Sequence, residues 1–375
     1  MILVLNCGSS SIKYRLFDGD LRVLDRGLIE RIGEPDGPAS HADALRDTAG
    51  RLRLDSPDLR AIGHRVVHGG ARFVRPTLLT GDVLAAIEEL TPLAPLHNPP
   101  NLAGIAVTRR LRPEVPQVAV FDTAFHATLP PAAYTYALDA ELAARLRIRR
   151  YGFHGTSHAY VSRQAATLLN RPLETVNSIV LHLGNGASAC AVQGGRSVET
   201  SMGMTPLEGL VMGTRTGDLD PAVVLHLERH AGLPADEVDR TLNRRGGLLG
   251  LSGDNDMREV LSRRAAGDPA AVLAFDVYCH RIRKYVGAYA AVLGRLDAVA
   301  FTGGVGENAA PVRAATLDGL DLLGIAVDPA RNSAASRDRR LISPDGAKVA
   351  VCVIPTDEEL EIARETLGVV AAQRE

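Results

Sequence analysis

Ile2-Leu3-Val4-Leu5-Asn6-Cys7-Gly8-Ser9-Ser10-Ser11-Ile12-Lys13-Tyr14 opens the chain, and its reading decides the fold. Ile2 to Leu5 is an apolar run without charge, as in a strand buried on both faces. Asn6 to Ser11 reads as a tight turn: Gly8 tolerates any backbone angle, and Asn and Ser supply local hydrogen bonds. From Ile12 to Phe17 apolar and polar residues alternate, which predicts a second strand running back before Asp18-Gly19 turns the chain again. The hydroxyls of Ser9 and Ser11, the backbone amides and Lys13 make a cradle suited to phosphate oxygens. Serine-rich hairpins are common, so taken alone the stretch favours the plainer reading.

The arrangement comes twice. Ser178-Ile-Val-Leu-His182-Leu183-Gly184-Asn185-Gly186-Ala-Ser188 again reads as a buried strand, a glycine turn and a returning strand. Leu5 to Ser10 lines up with Leu183 to Ser188. Two similar halves, each opening on a phosphate-type hairpin, point to a duplicated domain with a nucleotide between the copies.

Length and composition agree. A chain of 375 residues holds two domains with separate cores. An apolar share of 46% and a charged share of 23% are those of a soluble globular protein. A net charge of −2 gives no reason to expect a nucleic-acid or membrane partner. Only three of the 42 basic residues are Lys, so a lone Arg says little and Lys13 slightly more. Cys7, Cys190, Cys279 and Cys352 lack metal spacing and read as buried thiols in a reducing compartment. No leader pattern and no apolar run of membrane length is visible, which predicts a cytoplasmic protein.

Residues 20–60 read as polar and irregular. Ala61 to Gly70 is a strand running into a glycine turn with His64, Arg65 and His68 at its end, where α/β sheets meet their ligands. The two histidines suit capping or core hydrogen bonds; Arg65, set among apolar residues, is harder to explain as a surface charge. Leu78 to Leu90 has helical spacing. The proline-rich Thr91 to Asn101 loop can hold Leu96 and His97, and a helix is expected from Asn101. Val115 to Phe121 is a buried strand that ends at Asp122. Arg145, Arg147, Arg149 and Arg150 read as a solvated face. A helix is expected from Thr156 to Leu169 with a hydroxyl cap, and Pro221 opens another. Asp297 to Asn308 reads as a strand, a glycine turn and a helix start, a second element facing phosphate or nucleotide. Val349 to Ile354 is the last buried strand; Thr356 and Glu359 read as a capping box for the final helix, with Glu358 in its first turn.

No Walker A motif, kinase glycine loop or dinucleotide fingerprint is present. Instead, LNCGSSSIKY, HRVVHGG, PLHNPPN, FDTAFH, YGFHGTSH, HLGNGAS, MGTRTGDLDP and FTGGVGEN, in this order from residue 2 to about 364, resemble the acetate kinase family. The resemblance implies an α/β fold of duplicated actin-like ATPase (ribonuclease H-like) domains with a nucleotide cleft between them. Residues 1–150, completed by the C-terminal helix 357–375, would form the acyl side, and 151–356 the nucleotide side. It also implies direct in-line phosphoryl transfer from ATP to acetate in a homodimer, with Mg²⁺ or Mn²⁺. By carry-over, Arg215 and His154 would hold the phosphoryl oxygens and Arg65 the acetate carboxylate or phosphoryl. Asp122 would orient Arg215 or a metal-bound water, and Asn6 and Glu358 would position the metal. Val67, Leu96, Phe153 and Pro206 would enclose the acetate methyl. Ser9, Ser11 and Lys13 would meet the nucleotide, with His182, Leu183, Gly184, Asn185, Gly186, Asp256, Met257, Arg258, Gly304, Val305, Gly306, Glu307 and Asn308. Two departures stand out. The family reads Pro-Thr-Asn-Glu-Glu where this chain has Asp357, which adds a charge beside Glu358, and the chain is short in the 30–60 region.

Three alternatives fit parts of the pattern. A propionate or butyrate kinase needs a roomier methyl pocket. A sugar or polyol kinase needs a carboxylate base for its hydroxyl. A non-catalytic actin-like scaffold has no use for Arg65, His154 and Arg215 beside an apolar pocket.

Overall fold

A computed structural model of the chain describes residues 1–95 and 97–373. The chain divides into two compact units, one of Met1–Ala127, Gly155–Ser157 and Asp357–Glu375, the other of Thr128–His154 and His158–Thr356.

The first unit is built on six strands: β1 (Ile2–Cys7), β2 (Ile12–Phe17), β3 (Val23–Ile29), β4 (Ala61–Val66), β5 (Thr77–Leu78) and β6 (Gln117–Phe121). Their order is β3-β2-β1-β4-β6-β5. β1 and β2 form the expected antiparallel hairpin, and β4 and β6 join parallel to it. The period of two sorts β1 between two cores. Leu3, Leu5 and Cys7 pack with Ile12, Tyr14, Leu16 and Leu45 on one face; Ile2 and Val4 pack with Val118, Ile362 and Val370 on the other. Covering both faces is what lets β1 be wholly apolar. The second cover is the C-terminal helix Glu358–Ala372. It lies close against β4 because Gly63 has no side chain: a Cβ there would stand 2.4 Å from Thr366 Oγ1 and 2.9 Å from Ile362 Cγ2. Burying Ile362 or Val370 is worth about 1.5–3 kcal/mol each.

The second unit repeats the plan with β7 (Asn177–Leu183), β8 (Ala187–Gln193), β9 (Arg196–Thr200), β10 (Ala298–Thr302), β11 (Arg340–Leu341) and β12 (Ala350–Val353). Its order, read from its own hairpin edge, is β9-β8-β7-β10-β12-β11, the same path with the same parallel and antiparallel pairs. The last hairpin pair is Cys7–Ile12 in one copy and Leu183–Ala187 in the other. Asn6 therefore corresponds to His182, two residues away from the match read in the sequence, and Lys13 to Ser188, three residues away. The shift grows by one across the turn because Gly8 to Ser11 is one residue longer than Gly184 to Gly186. The helix Pro269–Leu293 backs this sheet with Phe275, Tyr278, Ile282, Val286, Tyr289 and Leu293, at spacings of three and four.

Several local expectations change. Residues 20–60 hold β3 and the helix His41–Asp47. β3 is an edge strand with Val23, Leu24 and Leu28 exposed, so it lacks a buried run to betray it. The helix expected from Asn101 starts at Asn98, its prolines lying in the first turn, where a missing N–H costs nothing. The helix expected from Thr156 starts at Gly155, with His154 at the N-cap position and no side-chain capping bond, where a hydroxyl cap was expected. The last helix is capped by Asp357, which accepts from Leu360 N; Glu359 pairs with Lys13 Nζ at 2.6 Å instead of closing a box with Thr356. Asp357 also meets Arg15 Nη1 at 2.6 Å, so its extra charge has a partner. Arg149 and Arg150 are not a solvated face: Arg149 lies 3.6 Å over the Tyr134 ring, and Arg150 pairs with Glu208 at 2.6 Å. Such contacts place residues 128–150 with the second unit, where the sequence suggested the first. All four cysteines are buried free thiols. No helix among the described residues is long and apolar enough to cross a membrane.

Candidate active site

In the first unit the chemistry gathers where β1, β4 and β6 end. Arg65, near the end of β4, lies between polar groups on three neighbouring segments. Its Nε donates to Asp122 Oδ1 at 2.9 Å and its Nη2 to Oδ2 at 2.6 Å, a bidentate pair. Its Nη1 reaches Asn6 Oδ1 at 3.4 Å, and Glu358 Oε2 stands 3.9 Å from its Nε. Asp122 is buried just beyond β6, with its backbone fixed by bonds to Val66 O and from Gly155 N. Burial works against the Arg65 charge, but Asp122 and then Glu358 outweigh it and hold the guanidinium's pKa above its ordinary value. Burial raises the Asp122 carboxyl, and Arg65 opposes that rise. A guanidinium does not surrender its proton, so the two stand as an ion pair. Both Asp122 oxygens accept from Arg65, so within this unit the residue Asp122 orients is Arg65.

Asn6 and Glu358 offer oxygen donors around the same guanidinium. No group of three or more His, Cys, Asp or Glu that could hold a metal occurs among the described residues. Two oxygen donors suit Mg²⁺, which takes few protein ligands, keeps several waters and shares substrate phosphates. In the hairpin turn Gly8 N donates to Ser11 O at 2.8 Å, and His41 Nε2 lies 2.7 Å from Gly8 O. Ser9 is exposed and Ser11 half-buried, while Lys13 is held by Glu359.

Val67 is buried, and its N donates to Asn101 Oδ1 at 3.1 Å. Asn98 likewise holds both backbone groups of His68. These two asparagines of the proline-rich loop were not singled out as site residues; the signal was the Asn-Pro-Pro-Asn run itself. Leu96 lies outside the described residues. His64 and His68 are structural, as expected: His64 Nε2 lies 2.9 Å from Gln117 Oε1, and His68 Nδ1 accepts from Gly70 N.

In the second unit His154 is left-handed (φ 57°), preceded by Gly152 (φ 75°). Its Nδ1 lies 2.9 Å from Ser188 Oγ, which His158 Nε2 approaches to 2.8 Å, and its ring stacks on His182 at 4.3 Å. Neither Ser188 nor His158 was picked out, although both lie in the quoted motifs. A Cβ on Gly186 would stand 3.5 Å from Arg215 Nη1 and 3.6 Å from His154 Cε1, so both side chains flank that glycine. Arg215 donates to Pro206 O at 3.0 Å. It pairs with no carboxylate among the described residues, and burial holds it below its ordinary value. Pro206 is half-buried, and Phe153 is buried.

A cavity of about 670 Å³ opens beside this group, lined by Gly184, Asn185, Asp256, Met257, Arg258, Gly304, Val305 and Asn308, as expected, and by Gly213, Leu248 and Asn255, which were not. Asp256 caps the helix Met257–Ala265 and pairs with Arg258, which pulls its carboxyl down to about 2. A Cβ on Gly304 would meet nothing within 4 Å, so its bare backbone leaves open space. Leu183 and Gly306 are buried and lie outside that lining, as do His182 and Gly186. Glu307 is a correction: its Oε1 accepts from Gly303 N (3.0 Å) and Thr356 N (3.2 Å), so it holds the turn instead of facing the cavity.

The acetokinase family model matches residues 1–49 and 38–364. An acetate kinase of Streptomyces griseus subsp. griseus is 60% identical over 98% of this chain and 96% of its own length. The crystal structure of Porphyromonas gingivalis acetate kinase matches with a TM-score of 0.93 and 41% identity over 98% of this chain and 99% of that one. A propionate kinase from Francisella tularensis subsp. tularensis matches at 0.91 and 43%, over 98% and 99%. The two sheets of shared strand order are thus duplicated actin-like ATPase domains, and the chain belongs to the acetokinase family.

Proposed function

We propose that the chain is an acetate kinase, which transfers the γ-phosphoryl of ATP reversibly to acetate and yields acetyl phosphate and ADP. The observation that carries this is one arginine in each unit: Arg65 held bidentate by Asp122 beside Glu358 and Asn6, and Arg215 half-buried near His154, with no carboxylate partner among the described residues. The acceptor needs no general base, because a carboxylate with a pKa near about 4 is already ionised at neutral pH. Catalysis then reduces to positioning and to neutralising charge on the transferring phosphoryl.

In this reading Arg65 binds the acetate carboxylate through the edge that Asp122 leaves open. Val67 meets the methyl, with Phe153 and Pro206. Arg215 and His154 hold equatorial phosphoryl oxygens. The cavity of the second unit takes the nucleotide, making that unit the nucleotide side and the first the acyl side; Ser9 and Ser11 offer hydroxyls to phosphate. Asn6 and Glu358 would hold Mg²⁺, which supplies charge neutralisation on the phosphates. A cytoplasmic homodimer completes the picture, and sedimentation velocity checks the dimer.

The test is acyl hydroxamate formation from ATP, acetate and hydroxylamine. Hydroxamate that depends on both ATP and acetate is expected. Phosphorylation of glycerol or glucose with no acetyl hydroxamate would overturn the reading.

A further inference from the structure

We propose that Asp218 positions Arg215, by closing the loop that carries it and tying that loop to Tyr285 and Arg281 of the helix Pro269–Leu293. This rests on the role given to Arg215 above.

Residues 201–220 contain neither helix nor strand, so regular backbone bonding does not shape them. The Arg215 guanidinium donates to Pro206 O and contacts Met212 Sδ, both members of the same loop. Its aim is therefore inherited from the shape of the loop. Asp218 sets that shape. Gly209 N donates to Asp218 Oδ1 at 2.8 Å, and Asp218 N donates to Gly209 O at 3.0 Å, which closes residues 209–218 into a ring. Gly217 (φ 68°) packs at this closure, where a Cβ would stand 2.4 Å from Leu210 O and 2.5 Å from Gly209 O. The second carboxylate oxygen anchors the ring: Asp218 Oδ2 accepts from Tyr285 OH at 2.9 Å and lies 3.6 Å from Arg281 Nη1. Arg281 Nη1 also donates to Gly209 O at 3.0 Å, so one helix grips both ends of the closure.

The neighbouring half of the loop has separate anchors. Leu248 N and Leu249 N donate to Met212 O and Gly213 O, and Gly213 lines the nucleotide cavity. Met212 N donates to Arg215 O and Gly246 N to Thr214 O, so the Arg215 backbone shares these anchors. Asp218 instead holds the arm from Pro206 to Gly209 that receives the guanidinium, and releasing it is expected to turn the Arg215 side chain while leaving the nucleotide's surroundings in place. A displacement of about 1 Å in a positioned group can cost about 10²-fold in rate.

The experiment compares Asp218→Ala and Tyr285→Phe in the wild-type chain and in an Arg215→Ala background; Tyr285→Phe removes one oxygen and keeps the ring packing. Measured per folded protein, kcat is expected to fall about tenfold or more for Asp218→Ala and several-fold for Tyr285→Phe. KM for ATP and for acetate should stay within about twofold, since neither residue touches a substrate in this reading. In the Arg215→Ala background neither change should cost anything further, because the group they position is gone. Equal losses in both backgrounds, or a lower melting temperature with unchanged kcat, overturn the inference. If Arg215→Ala itself keeps wild-type turnover, the role of Arg215 falls and this inference with it. If Arg215→Ala is inactive while Asp218→Ala is not, only the inference falls.

Discussion

At the scale of single residues, side chains that are missing carry as much as those present. Gly304 lines the cavity proposed to take the nucleotide, needs no left-handed backbone and has open space where a Cβ would go. Gly304→Leu should therefore fold normally and raise KM for ATP about tenfold or more by filling the cavity, with KM for acetate unchanged. A loss of melting temperature with unaltered KM for ATP would show that the position serves packing. Val67 follows Arg65 by two residues, and in the proposed acyl pocket its stiff, β-branched side chain would leave little room beyond a methyl. Acetate should be preferred to propionate by a modest margin, as one methylene is worth about 1–3 kcal/mol. Val67→Ala should narrow or invert the ratio of kcat/KM for the two acids, mostly by improving propionate. A wild-type preference for propionate, or an unmoved ratio in the variant, would remove Val67 from the acyl pocket.

The C-terminal helix is the element that joins packing to chemistry. Its apolar face covers the first sheet, and its first residue, Glu358, stands beside Arg65. Lys13 and Arg15 on β2 hold that end through Glu359 and Asp357. Glu358→Ala should raise the Mg²⁺ concentration for half-maximal activity and lower turnover, with little change in melting temperature. Unchanged magnesium dependence with reduced stability would reduce Glu358 to a complement of the helix dipole. Gly63→Val should do the reverse. The new side chain would meet Thr366 and Ile362, destabilising the protein by about 1–3 kcal/mol, as overpacking does. A calorimetric midpoint equal to wild type would mean that the helix yields without cost.

Over the whole molecule, buried titratable groups set the acid limit of stability. His64 is buried against Gln117, and burial lowers its pKa to about 4. Between pH 6.5 and 4 the unfolded chain binds a proton there that the folded chain does not. Stability therefore falls as the pH drops through that window, by about 3 kcal/mol in all, and the effect levels off below it. His64→Gln should flatten this part of the melting-temperature profile between pH 7.5 and 4.5. An identical slope in the variant would assign the loss to other groups.

The duplication, the buried hairpin strands and the order of motifs were legible in the sequence, because period-two burial and glycine turns are local signals. Arg65 and Asp122 stood out because charged groups at the ends of apolar strands have no ordinary surface role; His154 and Arg215 came from the family resemblance. Which carboxylate serves which arginine was not legible. Asp122 is 57 residues from Arg65, and the pair exists only because β4 and β6 lie side by side. The edge strand β3 was missed because half-exposed strands lack an apolar run. Glu307 was read as facing a ligand and instead bonds to two backbone amides of its own unit. Glu358 reaches Arg65 only because the last helix returns to the first sheet at Gly63. Local periodicity is written in neighbouring residues, whereas partnership between distant side chains depends on strand order and on how closely the backbones can approach.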